Sequence, residues 1–368
     1  MAWVSKAVAA LACVILLGQG AQASSAVDHR TRPDAEATRP EIATIHMVTA
    51  TFGVAVQDSP FALLDTTTGA KTWNVVAEQS RLQFVAWGFG PGSFVWVQAA
   101  RRKALDNPNG TLGGSRLWTW DPAATTWANR RVDPSAGTVV EFLTRRVAMA
   151  WRVYGRGAGT SRIAVYRSVN GGTTWSRIST SGGGDPTGLA FVNSRRGWMT
   201  GFVPVGGDWD VESTSDGGAS WRPVSLAKPR ELASQEGASY PPIFCSSTLG
   251  YMAAQVMTPP GLKNDMVVYE TADTGASWTA AVTLPYGLIA CGSDGVGHVS
   301  TARRVFVIHG DAYTHVRLPR PIFQVTDFLS ADAWYAQGEP RGSGAPGSYV
   351  TRDAGARWSR LPVDSSSR

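Results

Sequence analysis

From residue 41 to 363 the chain alternates short runs rich in Val, Thr, Phe and Trp with turns rich in Gly, Asp and Ser, and no helical period is sustained between them. This pattern predicts an all-β protein. The turns repeat. Residues 168–175 read Ser-Val-Asn-Gly-Gly-Thr-Thr-Trp, and 214–221, 271–278 and 351–358 follow the same rule of Ser/Thr-x-Asp/Asn-x-Gly-x-x-Trp. Degenerate copies fall at 65–73 with the Gly shifted by one place, at 121–127 with only the Thr-Trp end, and at 310–315 with an aromatic or His in the Trp position. A second element, Phe-x5-Gly-Trp/Tyr, precedes the turns at Phe191–Trp198 and Phe244–Tyr251. The closing aromatics lie roughly 37–57 residues apart, the repeat length of a four-stranded blade. The prediction is a single β-propeller of about seven four-stranded blades over 41–363, with residues 42–48 pairing near Val350 to complete the last blade.

The repeated turn has a local physical logic. An Asp or Asn accepts hydrogen bonds from backbone N–H groups ahead of it, the Gly supplies positive φ, and the Trp opens the outgoing strand and buries apolar surface. Asn170, Gly172, Trp175, Asp216, Gly218, Trp221, Asp273, Gly275, Trp278, Asp353, Gly355 and Trp358 are therefore assigned structural roles.

Composition adds detail. Gly 40 and Pro 21 suit many tight turns. Residues 1–23 read as a signal peptide, with Lys6 as the basic start, an apolar run over 7–17 and Ala21-Gln-Ala23 as the cleavage pattern, so Ser24 is the expected mature start. The chain is thus expected to be exported, to the cell envelope or beyond, with no membrane span after cleavage. Residues 24–40 read as a polar, disordered leader and 364–368 as a flexible tail. Cleavage lowers the formal net charge of +6 by one, an excess too mild for nucleic-acid binding. Cys245 and Cys291 remain, and an even pair in an oxidising compartment predicts one disulfide.

The sequence carries no Gly-x-Ser-x-Gly, His-Glu-x-x-His, Cys-x-x-Cys or Gly-x-Gly-x-x-Gly pattern. No catalytic residue, cofactor or metal is expected. Asp208, Asp210 and Glu212 share one strand face by alternation, as a glycosidase acid or a calcium site would require, although a solvated face is the simpler reading. His309 and Asp311 flank a turn. Arg145 and Arg146, and Arg195 and Arg196, follow strands that begin at Phe142 and Phe191, and are expected in equivalent loops of adjacent blades as a positive patch for an acidic partner. Residues 106–114, 203–207 and 339–347 are longer inserts and candidate recognition loops.

These motifs resemble the Asp-box propellers over roughly 42–362. That superfamily includes sialidases, sortilin-type receptors, xyloglucan-type glycoside hydrolases and the photosystem II assembly/stability factors. The pairing of Phe-x5-Gly-Trp/Tyr with the box is most similar to the assembly factors and their bacterial relatives. This resemblance implies a non-catalytic scaffold that binds another protein, or an anionic or glycan surface. The alternative is a glycoside hydrolase or a carbohydrate-binding propeller. For a sialidase, the Arg-x-Pro at 317–319 lies near the wrong end of the chain.

Overall fold

The computed structural model describes residues 42–57, 61–90, 94–101, 115–131, 139–154, 162–182, 185–203, 208–226, 228–232, 235–256, 265–292, 295–320, 322–338 and 347–361. The expected signal peptide at 1–23, the expected leader at 24–40 and tail at 364–368, and most of the three inserts lie outside them. The fold is an all-β propeller. No helix among the described residues is long and apolar enough to cross a membrane.

Each sheet is an antiparallel meander in chain order. The first is β1 (Ile42–Met47), β2 (Gly53–Gln57), β3 (Phe61–Thr66) and β4 (Asn74–Gln79). The second is β5 (Leu82–Gly90), β6 (Phe94–Arg101), β7 (Arg116–Asp121) and β8 (Thr126–Arg131), and the third is β9 (Val139–Phe142), β10 (Ala148–Tyr154), β11 (Arg162–Ser168) and β12 (Ser176–Gly182). The last two are β22 (Leu288–Cys291), β23 (Gly297–Ser300), β24 (Arg304–His309) and β25 (Ala312–Arg317), then β26 (Ile322–Phe328), β27 (Trp334–Gly338), β28 (Gly347–Thr351) and β29 (Ser359–Arg360).

Between these groups the structure departs from seven separate four-stranded sheets. Residues 185–285 form one nine-stranded sheet, so the described chain has five four-stranded sheets and one larger one. Its strands are β13 (Asp185–Phe191), β14 (Gly197–Val203), β15 (Val211–Thr214), β16 (Arg222–Pro223), β17 (Gly237–Ser239), β18 (Ile243–Phe244), β19 (Gly250–Val256), β20 (Asp265–Thr271) and β21 (Thr279–Pro285). The cause is β17. Phe202 and Val203 at the end of β14 pair with Ala238 and Gly237, and β17 also pairs with β19.

The first strand also departs from expectation. β1 does not join the last sheet; Thr44 to Met47 pair with Val56 to Gly53. A hairpin closed by the turn at 48–52 orders far less chain than pairing across the whole domain. In addition, β28 is already flanked by β27 and β29, so Val350 offers no free edge. The ends of the ring meet by side-chain packing instead. Ile45, Met47, Leu64 and Trp73 pack on Tyr335, Val350 and Leu361. Met47 N–H donates to Asp327 Oδ2 at 2.8 Å, and His46 Nδ1 lies 2.7 Å from Asp327 Oδ1. Apolar clusters of the same kind bridge the other boundaries, such as Phe142 and Ala150 against Trp96 and Leu117.

Cys245, after β18, is bonded to Cys291 at the end of β22, with Cα atoms 5.1 Å apart. The bond ties two consecutive repeats together at one edge. Replacing both by Ser is expected to cost about 3 kcal/mol, because the crosslink restricts a long segment of the unfolded chain. Urea unfolding with and without reductant checks it; a midpoint unmoved by reductant would show that the bond contributes nothing.

Candidate functional site

The four complete boxes are built alike. Eight residues separate the last pair of one hairpin arm from the first pair of the other, as in Ser213 with Arg222. In the box at 214–221, Thr214 Oγ1 donates to Asp216 Oδ1 (2.8 Å) and accepts from Gly218 N (2.9 Å). Asp216 accepts from Ser220 N (2.9 Å) and Ser220 Oγ (2.6 Å). Asp273 repeats the set with Ser277 N and Oγ, while Asn170 and Asp353 accept from Thr174 N and Arg357 N. These accepted bonds hold the Asp216, Asp273 and Asp353 carboxyls below the usual carboxylate range. Gly218 has φ 92°, which a Cβ resists. The carboxylates are spent within their own loops, so the boxes are architectural.

The Trp side chains of the four complete boxes cover the margin of the core, whereas Trp73 of the copy at 66–73 is buried in it. Trp175, Trp221, Trp278 and Trp358 are half-buried, and three of them donate Nε1–H back to the box carbonyl of Gly172, Gly218 or Gly355. The fully buried indoles belong to strands: Trp96, Trp118, Trp198 and Trp334.

The degenerate copies also differ from expectation. At 66–73 the box keeps its eight-residue length between Asp65 and Asn74, Thr68 takes the Asp position by accepting from Thr72 N (3.0 Å), and Ala70 at φ 63° takes the Gly position. In the second sheet Asp121 pairs directly with Thr126, so four residues replace the eight, and Trp127 is a strand residue opposite Trp120. In the β22–β25 sheet a two-residue turn, Gly310-Asp311, joins His309 to Ala312, and no box exists.

A further bond explains why the two sequence elements recur together. The residue before the box Gly donates its N–H to the turn between the first and second strands: Gly171 to Arg146 O, Gly217 to Arg195 O, Thr274 to Thr248 O, and Ala354 to Asp332 O. Box and Phe-x5-Gly turn therefore share one edge of the propeller. These bonds also set the register of the arginines. Arg146 and Arg195 are equivalent, whereas Arg145 matches Ser194 and Arg196 matches Val147. The four do not form two matching pairs. Arg145 Nη1 lies 2.9 Å from Asp121 Oδ1 of the preceding sheet. Arg196 Nη1 donates to Thr274 O of the following repeat at 3.1 Å. Arg130 plays a similar part, donating to Gly171 O of the next sheet. Among the described residues, no side-chain bond engages Arg146 or Arg195, and both are exposed.

The inserts at 106–114, 203–207 and 339–347 join second strands to third strands. In a meander those connections leave at the edge opposite the boxes. Arginines and inserts thus belong to different edges.

Asp208, Asp210 and Glu212 alternate with buried Trp209 and Val211, although only Glu212 lies in a strand, β15, and the two Asp precede it. Burial first, and the charge of Glu212 second, raise the Asp210 carboxyl to about 6. No group of three or more His, Cys, Asp or Glu side chains among the described residues is arranged to hold a metal ion.

No family model matches the sequence, and no curated protein matches it. Solved structures do. The β-propeller domain of the Trilobed protease from Pyrococcus furiosus matches with a TM-score of 0.51 and 8% identity over 89% of this chain and 99% of that one. The acylaminoacyl peptidase of Pyrococcus horikoshii matches with a TM-score of 0.52 and 7% identity over 88% of this chain, which spans about half (52%) of that protein. YCF48 bound to a D1 peptide matches with a TM-score of 0.46 and 14% identity over 82% of this chain and 91% of that one. At these identities the likeness concerns fold alone: this chain is similar in architecture to β-propellers.

Proposed function

We propose that this chain is an exported, non-catalytic propeller of seven blades that binds a partner protein at its box edge. Seven blades follow if the nine-stranded sheet is read as two repeats, β13–β16 and β17–β21, joined by the β14–β17 pairing. Seven apolar clusters, each spanning one repeat boundary, support that count. Export rests on the leader at 1–23.

The observation that carries the binding role is the pair Arg146 and Arg195. They occupy equivalent positions on adjacent repeats, each with its backbone carbonyl held by a box N–H and, among the described residues, no partner for its guanidinium. Exposed arginines carried on a fixed backbone at one edge suit carboxylates of a partner. The double variant Arg146→Glu/Arg195→Glu is expected to keep the wild-type melting curve and lose partners captured from the source extract; retention of the same partners would remove the role.

One observation favours a second reading, a glycoside hydrolase: the raised Asp210 carboxyl is suited to a general acid. A panel of sialosides and β-glucans offered to the chain from Ser24 separates the two. No turnover is expected; turnover abolished by Asp210→Asn would establish the hydrolase.

A further inference from the structure

The second sheet is where the box edge changes character. Its short turn at 122–125 removes the loop that covers the edge in the first and third sheets. What remains is a row of half-buried aromatics. Phe52 stacks on Trp120 with ring centroids 4.8 Å apart, and Trp120 packs on Trp127 at 5.6 Å. Trp127 Nε1–H donates to Asp65 Oδ2 at 3.0 Å, which fixes its ring. Beside Trp120, Asp121 meets Arg145, and Arg146 follows.

Charge is unevenly distributed along the sequence that holds this sheet. Residues 101–200 hold 15 Arg or Lys and 5 Asp or Glu, a surplus of ten where the whole chain has +6. Fourteen of the fifteen are Arg. One of the five acids, Glu141, is buried and held uncharged at neutral pH.

We infer that Phe52, Trp120, Trp127, Arg145 and Arg146 form a docking site for an acidic segment of a partner protein that carries an apolar anchor residue. The inference deepens the binding role proposed above and rests on it. Aromatic rings locked by their neighbours lose little side-chain entropy when covered, and aromatics with Arg are the residues that dominate protein interfaces. The occupant follows from the partners of the charges. Asp65 is bonded to Trp127 and Asp121 to Arg145, so a carboxylate already accompanies both the rings and the nearer arginine. A phosphate or sulfate chain would meet both carboxylates. A peptide can place an apolar side chain on the rings and its carboxylates on the arginine forks. One face of Phe52 and one of Trp120 are already covered by each other, which halves the surface open to stacking bases or sugars.

The test is fluorescence anisotropy with the chain from Ser24 and four labelled probes: a short peptide of Phe and Leu followed by a Glu run, an all-Glu peptide of equal length, oligothymidine and a sulfated oligosaccharide. The amphiphilic peptide is expected to bind at least about tenfold more tightly than the others, and Arg146→Glu and Trp120→Thr each to weaken it about tenfold, with Arg317→Glu on the β22–β25 sheet without effect. Benzoylphenylalanine at Ala123, in the exposed short turn, is expected to crosslink the peptide in an otherwise wild-type chain, which keeps the test open if Trp120→Thr unfolds. Failure of the amphiphilic peptide to bind or crosslink overturns the inference, as does equal or tighter binding of oligothymidine or the sulfated sugar. Binding lost with Arg195→Glu but untouched by Trp120→Thr removes the aromatic site and leaves the wider edge standing. Turnover of a glycan removes the non-catalytic reading without bearing on this site.

Discussion

Replacing Trp198 with Ala is expected to cost about 4 kcal/mol, the high range for truncating a buried aromatic. Trp198 opens β14 and is fully buried. It joins two repeats: its ring lies 5.2 Å from Phe244 and 5.8 Å from Trp278, across the boundary within the nine-stranded sheet. Gly275 closes over it so tightly that a Cβ there would sit 2.1 Å from the indole, so little backbone is free to collapse into a cavity. Trp221→Ala, at a half-buried box position, is expected to cost about half as much, since part of that side chain already faces water. The indole N–H of Trp198 has no partner, which makes Trp198→Phe informative. It removes an unpaired donor and keeps most of the ring, so its cost is expected to stay below about 1.5 kcal/mol. Chemical unfolding of the three variants checks the order. A Trp221→Ala loss equal to that of Trp198→Ala would return the core role to the box Trp.

This comparison shows where the sequence was legible. Strands and complete boxes could be read because strand alternation and the Asp-Gly turn are local and leave fixed residue types at fixed spacing. The role of each Trp could not. Both kinds of Trp lie in or beside strands, and burial depends on the neighbouring repeat, which leaves no local mark. The copy at 66–73 misled because Ala70 accepts positive φ in place of Gly, so Gly69 looked like a shifted motif. The copy at 121–127 misled because its Thr-Trp resembles a box end, although the hairpin is four residues shorter and Trp127 lies inside the strand. The arginines fall in first-to-second-strand turns, but Phe142 and Phe191 end their strands where the sequence reading had them begin, and adjacency in sequence hid a shift of one position. Counting from Phe142 and Phe191 would have aligned Arg146 with Arg195. The aromatic row was missed for a related reason: Phe52, Trp120 and Trp127 meet only after two sheets pack. Pairing of β1 depended on which edge of the last sheet was left free, and β29 had already taken it.

The stability of Glu141→Gln relative to wild type is expected to rise with pH, by about 4 kcal/mol between pH 5 and pH 8.5. Glu141 lies in β9 against the next repeat, 1% exposed. Burial pushes its carboxyl up to about 8, and the single N–H it accepts, from Phe191 at 3.3 Å, opposes that only in part. In the unfolded chain the same group ionises near the ordinary Glu value of about 4.3. Between those values the folded state binds the extra proton, so wild-type stability falls as pH rises through the window and is unaffected below it. Gln carries no proton to lose. Its Oε1 can keep the Phe191 bond, and its amide nitrogen replaces Glu141 Oε2, whose proton in the neutral wild-type carboxyl is equally without a partner among the described residues. The variant is therefore expected to lie close to wild type at pH 5 and to be the more stable protein, by about 4 kcal/mol, at pH 8.5. Asp327 supplies the contrast. It occupies the equivalent place, the residue before Phe328, and also accepts a backbone N–H from the next repeat, but His46 stands 2.7 Å from its other oxygen. Two equivalent carboxyls thus differ in their partners: Glu141 accepts one backbone N–H, whereas Asp327 accepts one and also faces the His46 ring. A Glu141→Gln difference constant across pH would show that Glu141 is ionised in the folded protein, and that water or a neighbouring cation reaches the boundary between the third sheet and the next repeat.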